Sequence, residues 1–167
     1  MFEETQFYYD LLSVMSDICE MLDIEEPAFC IEADGPYATK TTMAAVSFGE
    51  SIIMYLNPVY FSPEYGIGPI QIFSIGHELR HIYQRENGES FVKYVKANEL
   101  TLGAYNKQWQ ETDANAFGYL CIESFFGEEA LDQTISACFF NLPDDVIRVT
   151  KAWMDVIIDN EPELFEE

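Results

Sequence analysis

Length, composition and charge exclude several classes of protein. The chain has 167 residues, 49% of them hydrophobic, and 30 acidic against eight basic side chains give it a formal net charge of −22. Such a charge argues against direct nucleic-acid binding, because it repels phosphate backbones. The hydrophobic content argues against a disordered acidic protein, and no apolar run reaches the roughly 18 residues that would span a bilayer. Since Met1-Phe2-Glu3-Glu4 has no basic export region, we expect one soluble domain over residues 1–167, in the cytoplasm and without membrane contact.

The N-terminal third predicts one helix followed by a small sheet. The helix is expected to end before Pro27. Its buried face is predicted from the helical spacing of Phe7, Leu11, Met15, Ile18 and Leu22. Strands are expected at residues 28–32, 41–48 and 51–56, with a turn at Asp34-Gly35-Pro36 and a tight connection at Gly49-Glu50.

Residues 69–86 predict a helix that carries both histidines of the chain. Pro69 suits the first turn, and the expected buried stripe is Ile72, Ile75, Leu79 and Ile82. A glycine inside a helix costs about 1 kcal/mol relative to alanine, so Gly76 predicts close approach by another backbone beside His77.

The string His77-Glu78-Leu79-Arg80-His81 matches the H-E-x-x-H pattern of zinc hydrolases. Side chains at i and i+4 of a helix lie on one face, so both imidazoles can reach one Zn²⁺ ion. Zinc lowers the pKa of a bound water to about 7, and Glu78 is placed to act as its general base in amide hydrolysis. The alternative is a helix whose histidines make ordinary hydrogen bonds.

A catalytic zinc needs a third protein ligand, and the chain has no further histidine. Residues 111–118 open an apolar helix that ends at Gly127, with Glu111 at its start. Glu111 and Asp113 are the two acidic candidates, and because positions two apart lie on nearly opposite sides of a regular helix, both cannot bind one ion unless the helix starts late. Asn115, one turn past Glu111, can accept the N–H of a ligating imidazole.

The cysteines are dispersed and form no C-x-x-C pair. They are Cys19, Cys30, Cys121 and Cys138. Buried free thiols are therefore favoured over a secreted disulfide framework and over a cysteine as the third zinc ligand.

Residues 90–110 mix basic and aromatic side chains in an otherwise acidic protein. The segment is either a lid that faces substrate or a loop that balances nearby carboxylates. Within it, Tyr105 is the first candidate for a catalytic group that stabilises an oxyanion; Tyr83 and Arg80 follow. Each of them has the alternative of being an ordinary packed surface residue.

Two closing helices are expected at residues 128–140 and 144–159. The expected buried stripe of the second is Val146, Val149, Trp153 and Ile157. The elements together predict an α+β domain with a small, mostly antiparallel sheet packed with helices, holding zinc between the histidine helix and the Glu111 helix.

Three segments resemble one family of enzymes. The pair "IGHELRH" and "ETDANAFG" is similar to the gluzincin metallopeptidases, and with "SIIMYLNP" it resembles most the compact ImmA/IrrE-like branch, over residues 51–126. The resemblance implies a zincin-like fold, with His77, His81 and Glu111 as metal ligands and Glu78 as base, and so favours Glu111 over Asp113 as the third ligand. It also implies limited cleavage of a regulatory protein, such as a repressor of a mobile element.

The leading function is therefore a zinc metallopeptidase acting on a protein or peptide substrate. Such enzymes hold substrate as an added strand; the first candidate here is residues 51–56 and the second is residues 41–48, unless both strands are interior. The acidic charge is either a solvating surface or a means of steering a basic DNA-binding regulator. The alternatives are an acidic interaction or DNA-mimic protein that keeps the fold without catalysis, and a structural zinc site with Asp113 as fourth ligand.

Overall fold

The computed structural model describes residues 2–37, 39–88, 94–96, 99–137 and 142–165. Within these ranges it confirms the α+β class, with six α-helices and three strands. The elements are α1 (Phe2–Leu22), β1 (Ala28–Ile31), β2 (Ala44–Phe48), β3 (Ile52–Leu56), α2 (Pro69–Glu86), α3 (Leu102–Tyr105), α4 (Trp109–Phe126), α5 (Glu128–Ser136), α6 (Asp144–Asn160) and a short 3-10 helix (Pro162–Leu164). None of the helices in these ranges combines the length and hydrophobicity needed to traverse a bilayer.

The sheet is mixed, so the expectation of a mostly antiparallel sheet is wrong. The strand order is β1-β3-β2, with β1 parallel to β3 and β2 antiparallel to it. The tight connection at Gly49-Glu50 folds β2 onto β3 as predicted. The longer connection from β1 to β2 reverses the chain and leaves β1 on the far side of β3, where it runs parallel. Among the described residues β3 is therefore the central strand, and β1 and β2 are the edge strands.

Periodicity predicted the buried faces of α1 and α2 correctly. All five stripe residues of α1 and all four of α2 belong to the core. Asp23 follows α1 with a φ of 51°, and the next amide, of Ile24, donates to the carbonyl of Cys19. This left-handed residue ends the helix and turns the chain toward β1.

Gly76 of α2 lies where α2 and α4 approach each other closely, as predicted. A Cβ at Gly76 would lie 2.7 Å from the sulfur of Cys121 and 3.6 Å from the Cα of Gly118. A Cβ at Gly118 would lie 2.7 Å from the ring of Phe73 and 3.0 Å from the carbonyl oxygen of Phe73. The two glycines thus let the backbones of α2 and α4 meet directly before His77 and one turn after Asn115.

α4 is the central helix of the molecule, because α2, α5 and α6 all pack against it. Every residue from Gln110 to Ile122 is buried. Polar residues at the start of this helix, including Glu111 and Asp113, are therefore held away from water and must find partners within the protein.

The predicted stripe of α6 is wrong at two positions. Val146 and Ile157 are buried as expected, but Val149 is 42% exposed and Trp153 is only partly buried; Thr150 and Met154 are buried instead. Trp153 donates its indole N–H to Asp113 at 3.0 Å, which places Trp153 at the edge of the contact with α4 and Thr150 at its centre.

Several predicted bounds also differ from the structure. The three strands are shorter than expected by one to three residues, α1 begins before its apolar stripe, and α5 ends at Ser136. Residues 138–140 of the predicted fifth helix lie outside the described residues, as does Cys138. Cys19, Cys30 and Cys121 carry free thiols; Cys19 and Cys121 are buried and Cys30 is half-buried.

Candidate metal centre

The structure brings His77, His81 and Glu111 together as a group that could hold a metal ion. The two histidine Nε2 atoms lie 3.1 Å apart, Nε2 of His77 lies 3.4 Å from Oε2 of Glu111, and Nε2 of His81 lies 3.3 Å from Oε1. A tetrahedral zinc with bonds of about 2.0 to 2.1 Å separates its ligand atoms by about 3.3 Å. The spacing and the donor types of the group therefore fit zinc.

Two amide side chains fix which nitrogen of each imidazole faces the group. Nδ1 of His77 lies 3.0 Å from Oδ1 of Asn115, and Nδ1 of His81 lies 2.9 Å from Oε1 of Gln84. An amide oxygen only accepts, so each Nδ1 carries a proton, and the other nitrogen, Nε2, is the one that faces the shared space and can bind a metal ion.

Further hydrogen bonds fix the orientation of these amides. Gln84 donates Nε2 to the carbonyl of Gln110 at 3.0 Å and to the carboxylate of Asp113 at 2.7 Å, which are both acceptors only. Asn115 donates to Oδ1 of Asn106 at 2.8 Å, and Asn106 in turn donates to the carbonyl of Leu102. Both imidazole orientations are therefore anchored in backbone carbonyls.

Glu111 supplies the negative charge beside the two histidines. It is 1% exposed, and burial by itself would raise the pKa of Glu111, but the charge of His81 and hydrogen bonds with both histidines hold the pKa well below its usual range. Burial alone would likewise lower the pKa of His81, but Glu111 outweighs it and raises the pKa to about 9. A metal ion that binds here must displace the proton between these groups, because a ligating imidazole is neutral.

Glu78 lies beside the group and faces the edge of the sheet. Its carboxylate accepts a hydrogen bond from the backbone N–H of Val46 on β2. Burial raises the pKa of Glu78, and the neighbouring charges of His77 and His81 oppose that rise. Glu78 is thus a half-buried carboxyl group of raised proton affinity, as a general base requires.

Two tyrosines contact the glutamate of the group. The hydroxyls of Tyr94 and Tyr105 donate to Oε1 of Glu111 at 2.6 and 2.7 Å, and the two hydroxyl oxygens lie 2.6 Å apart. The segment that carries Tyr94 is held by Gln108, whose side chain bonds the N–H and the carbonyl of Val95 at 2.7 and 2.8 Å. Tyr105, which was predicted from its place before Glu111, therefore contacts the metal group directly.

Asp113 points away from the group, which decides between the two acidic candidates. Its carboxylate accepts hydrogen bonds from Nε of Arg80 at 2.8 Å, from Gln84 and from the indole of Trp153. Arg80 is taken up by this contact, and its guanidinium lies 4.4 Å from the ring centroid of Tyr83. The preference for Glu111 over Asp113 as third ligand agrees with this geometry. Arg80 and Tyr83, the other candidates for stabilising the oxyanion, do not belong to the metal group.

Three contributors were missed or left without a role by the sequence prediction. Tyr94 belongs to no motif, and Lys93 and several other residues of the predicted lid lie outside the described residues. Asn106 also carries no signal in the sequence. Gln84 does carry one, because it falls on the face of α2 that holds His77 and His81, three residues after His81.

Replacing Asn115 by alanine should weaken zinc binding. The Nδ1 proton of His77 would lose its acceptor, and loss of such an outer partner costs about 10- to 100-fold in metal affinity. Competition against a chromophoric chelator measures this affinity. Asn87→Ala, which removes an exposed amide at the end of α2, is the control and should bind zinc like the wild type. Equal affinity in the Asn115 and Asn87 variants would contradict the assignment.

Comparisons of the chain with models of protein families, with curated proteins and with solved structures found no significant match.

Proposed function

We propose that the protein is a zinc-dependent metallopeptidase of zincin-like fold. The observation that carries the proposal is the convergence of His77, His81 and Glu111, from two different helices, at distances that suit one tetrahedral ion. The group contains three donors among the residues that the structure describes, as in catalytic zinc sites, whereas a structural site needs four. Asp113, the candidate for a fourth, is engaged by Arg80.

Each residue then has a chemical role. When bound, zinc polarises the scissile carbonyl and lowers the pKa of an attacking water to about 7. Glu78 accepts the proton of that water and passes it to the leaving amine. The hydrogen bond from Val46 holds the carboxylate of Glu78 toward the edge of the sheet, where the carbonyl would lie.

The two tyrosines supply the group that stabilises the oxyanion. Three oxygens of Tyr94, Tyr105 and Glu111 lie within 2.6 to 2.7 Å of one another, yet the pair of hydroxyls has only two protons for these three contacts. One hydroxyl can therefore turn to a new acceptor without leaving Glu111 unbonded. Burial and the charge of Glu111 raise the pKa of both tyrosines, so both remain donors.

Replacing Tyr105 by phenylalanine should lower kcat about 100-fold with a smaller change in KM, since an oxyanion donor acts mainly in the transition state. The measurement is steady-state hydrolysis of a peptide that the wild type cleaves, with Tyr94→Phe assayed beside it. Tyr65→Phe, an exposed tyrosine before α2, is the control and should keep wild-type rates. Unchanged kcat in both Tyr105→Phe and Tyr94→Phe would remove the tyrosines from the mechanism.

The edge of β2 is the place where an extended substrate fits. Because Asn57 N–H donates to the carbonyl of Met43 and pairing alternates along an antiparallel ladder, the backbone groups of residues 44, 46 and 48 point to the outer edge. The bond from Val46 to Glu78 is in accord with this. Since Glu78 already accepts from the N–H of Val46, a peptide added there would pair with the other outward groups and pass over Glu78. The preference for residues 51–56 is wrong, because β3 is paired on both sides; of the two predicted strands only β2 has an open edge among the described residues.

The charge of the chain bears on the substrate. A formal charge of −22 attracts basic proteins and repels acidic ones. Together with the resemblance to the ImmA/IrrE-like branch, it favours limited cleavage of a basic regulatory protein in the cytoplasm.

Incubation of the purified protein with a defined mixture of peptides, analysed by mass spectrometry, tests this function. We expect cleavage products that vanish after removal of metal with a chelator and return when zinc is restored, because the site binds the ion reversibly. Products that persist without metal, or their absence from a protein shown to hold zinc, would overturn the proposal.

A further inference from the structure

Both tryptophans of the chain line one cavity that lies apart from the metal group. The cavity has a volume of about 350 Å³ and lies between α2, the start of α4 and the end of α6. This volume falls within the range of about 300 to 1,000 Å³ that is usual for ligand pockets. His77, His81 and Glu111 do not line it, so a ligand of this cavity would be recognised by other residues.

The floor of the cavity is a buried ionic network with an excess of negative charge. Arg80 bonds Asp113 at 2.8 Å and Glu161 at 2.7 Å, so one positive charge faces two negative ones. Tyr83 lies in the wall of the cavity, and burial is the main cause that raises its pKa. The charges of Glu161, Asp113 and Glu163 raise this pKa further, although Arg80 opposes them. An anionic ligand is disfavoured, because Arg80 is 2% exposed and already contacts two carboxylates.

The walls offer aromatic faces and acceptors. Trp109 is 39% exposed, and the indole N–H of Trp153 is used by Asp113, which leaves the ring face as its contact surface. Asn87 and Asn160 donate to the carbonyls of Tyr83 and Val156, so their amide oxygens remain as acceptors at the rim. Aromatic faces, acceptors and net negative charge together favour a cation that donates hydrogen bonds.

One cation of this kind, the guanidinium of Arg80, already lies in the lining of the cavity. The guanidinium of Arg80 stacks 4.4 Å from the ring centroid of Tyr83 while it bonds two carboxylates. A planar guanidinium suits stacking and paired hydrogen bonds better than the compact ammonium of lysine. We propose that this cavity binds the arginine side chain of a basic protein partner. The charge of −22 attracts such a partner, and the proposal does not require that the protein hydrolyses peptides.

Tryptophan fluorescence reads this cavity directly, because Trp109 and Trp153 are the only two tryptophans. The probes are short peptides, acetyl-Gly-Arg-Gly-amide and its citrulline counterpart, which has the same shape without the charge. We expect a saturable change of fluorescence with the arginine peptide and about tenfold weaker binding of the citrulline peptide. Equal affinities for the two peptides, or no saturable change with arginine, would overturn the proposal.

Matched variants place the binding at this cavity. Glu161→Gln removes a charge from its wall, while Glu50→Gln removes the same charge from an exposed position between β2 and β3, outside the cavity. We expect Glu161→Gln to weaken arginine binding about tenfold and Glu50→Gln to leave it unchanged. An equal effect of both would show unspecific attraction only.

Aromatic substitutions keep the test decisive if Glu161→Gln fails to fold, since that variant leaves Arg80 one partner short. Trp109→Ala should weaken binding several-fold and Trp109→Phe should restore most of it, with Trp153 as the remaining reporter. Unchanged affinity in Trp109→Ala would contradict the role of the aromatic wall. Because none of these measurements involves hydrolysis, they stand or fall separately from the proposed function.

Discussion

Replacing Glu78 by glutamine should abolish nearly all hydrolysis while the protein keeps its zinc. The amide has the shape of the carboxylate but cannot take a proton from water, and a general base contributes about 10²- to 10⁴-fold in rate. The metal ligands His77, His81 and Glu111 are untouched. Peptide hydrolysis and zinc content, measured on the same preparation, give the two quantities.

The control for Glu78→Gln is Glu86→Gln, an exposed glutamate on the same helix, which should keep wild-type activity. A Glu78 variant that hydrolyses peptides at the rate of the Glu86 variant would remove the base from the mechanism. The same pair also separates an enzyme from an acidic binding protein. A binding protein would keep its partner affinity in both variants and show no turnover to lose.

Replacing Asp113 by asparagine should lower the free energy of unfolding by about 3 kcal/mol, because it leaves the buried Arg80 with one charged partner instead of two. Burial by itself would raise the pKa of Asp113, but hydrogen bonds from Arg80, Gln84 and Trp153 hold it below its ordinary value. The carboxylate therefore stabilises the fold above about pH 4. This contribution is lost as the pH falls through the lowered pKa.

Denaturant unfolding of wild type and Asp113→Asn from pH 7 down to pH 3 measures both effects. The difference between the two proteins should be largest near neutral pH and shrink in acid. Asp145→Asn is the control, because Asp145 pairs with Lys107 at an exposed position where water screens the charges, and it should leave stability nearly unchanged. A difference for Asp113→Asn that does not depend on pH would contradict the ionic account.

Local spacing predicted those parts of the structure that a single helix decides. The bounds of α2, its buried stripe and the shared face of His77 and His81 follow from a period of 3.6 residues. The same rule predicted that Asn115 shares the face of Glu111 and that Asp113 does not, since positions four apart lie on one face of a helix. For these residues, helical spacing in the sequence was enough to predict their relative positions.

The remainder depends on contacts between distant segments, which no spacing expresses. The direction of β1 depends on the path of the chain from β1 to β2, and the buried face of α6 depends on the bond from Trp153 to Asp113. Tyr94 reaches Glu111 from a segment without periodicity, held by Gln108. Such positions need the assembled fold before their partners can be named.

Zinc titration of the metal-free protein tests most directly whether Glu111 completes a site begun by two histidines. Wild type should bind one zinc per chain and gain about 4 kcal/mol of stability at 1,000 times its Kd. For a chain of this length that corresponds to a rise in Tm of about 8 to 16 °C. Glu111→Gln should lose most of this rise, and Glu86→Gln should keep it. Equal zinc-dependent rises in both variants, or none in the wild type, would contradict the metal centre.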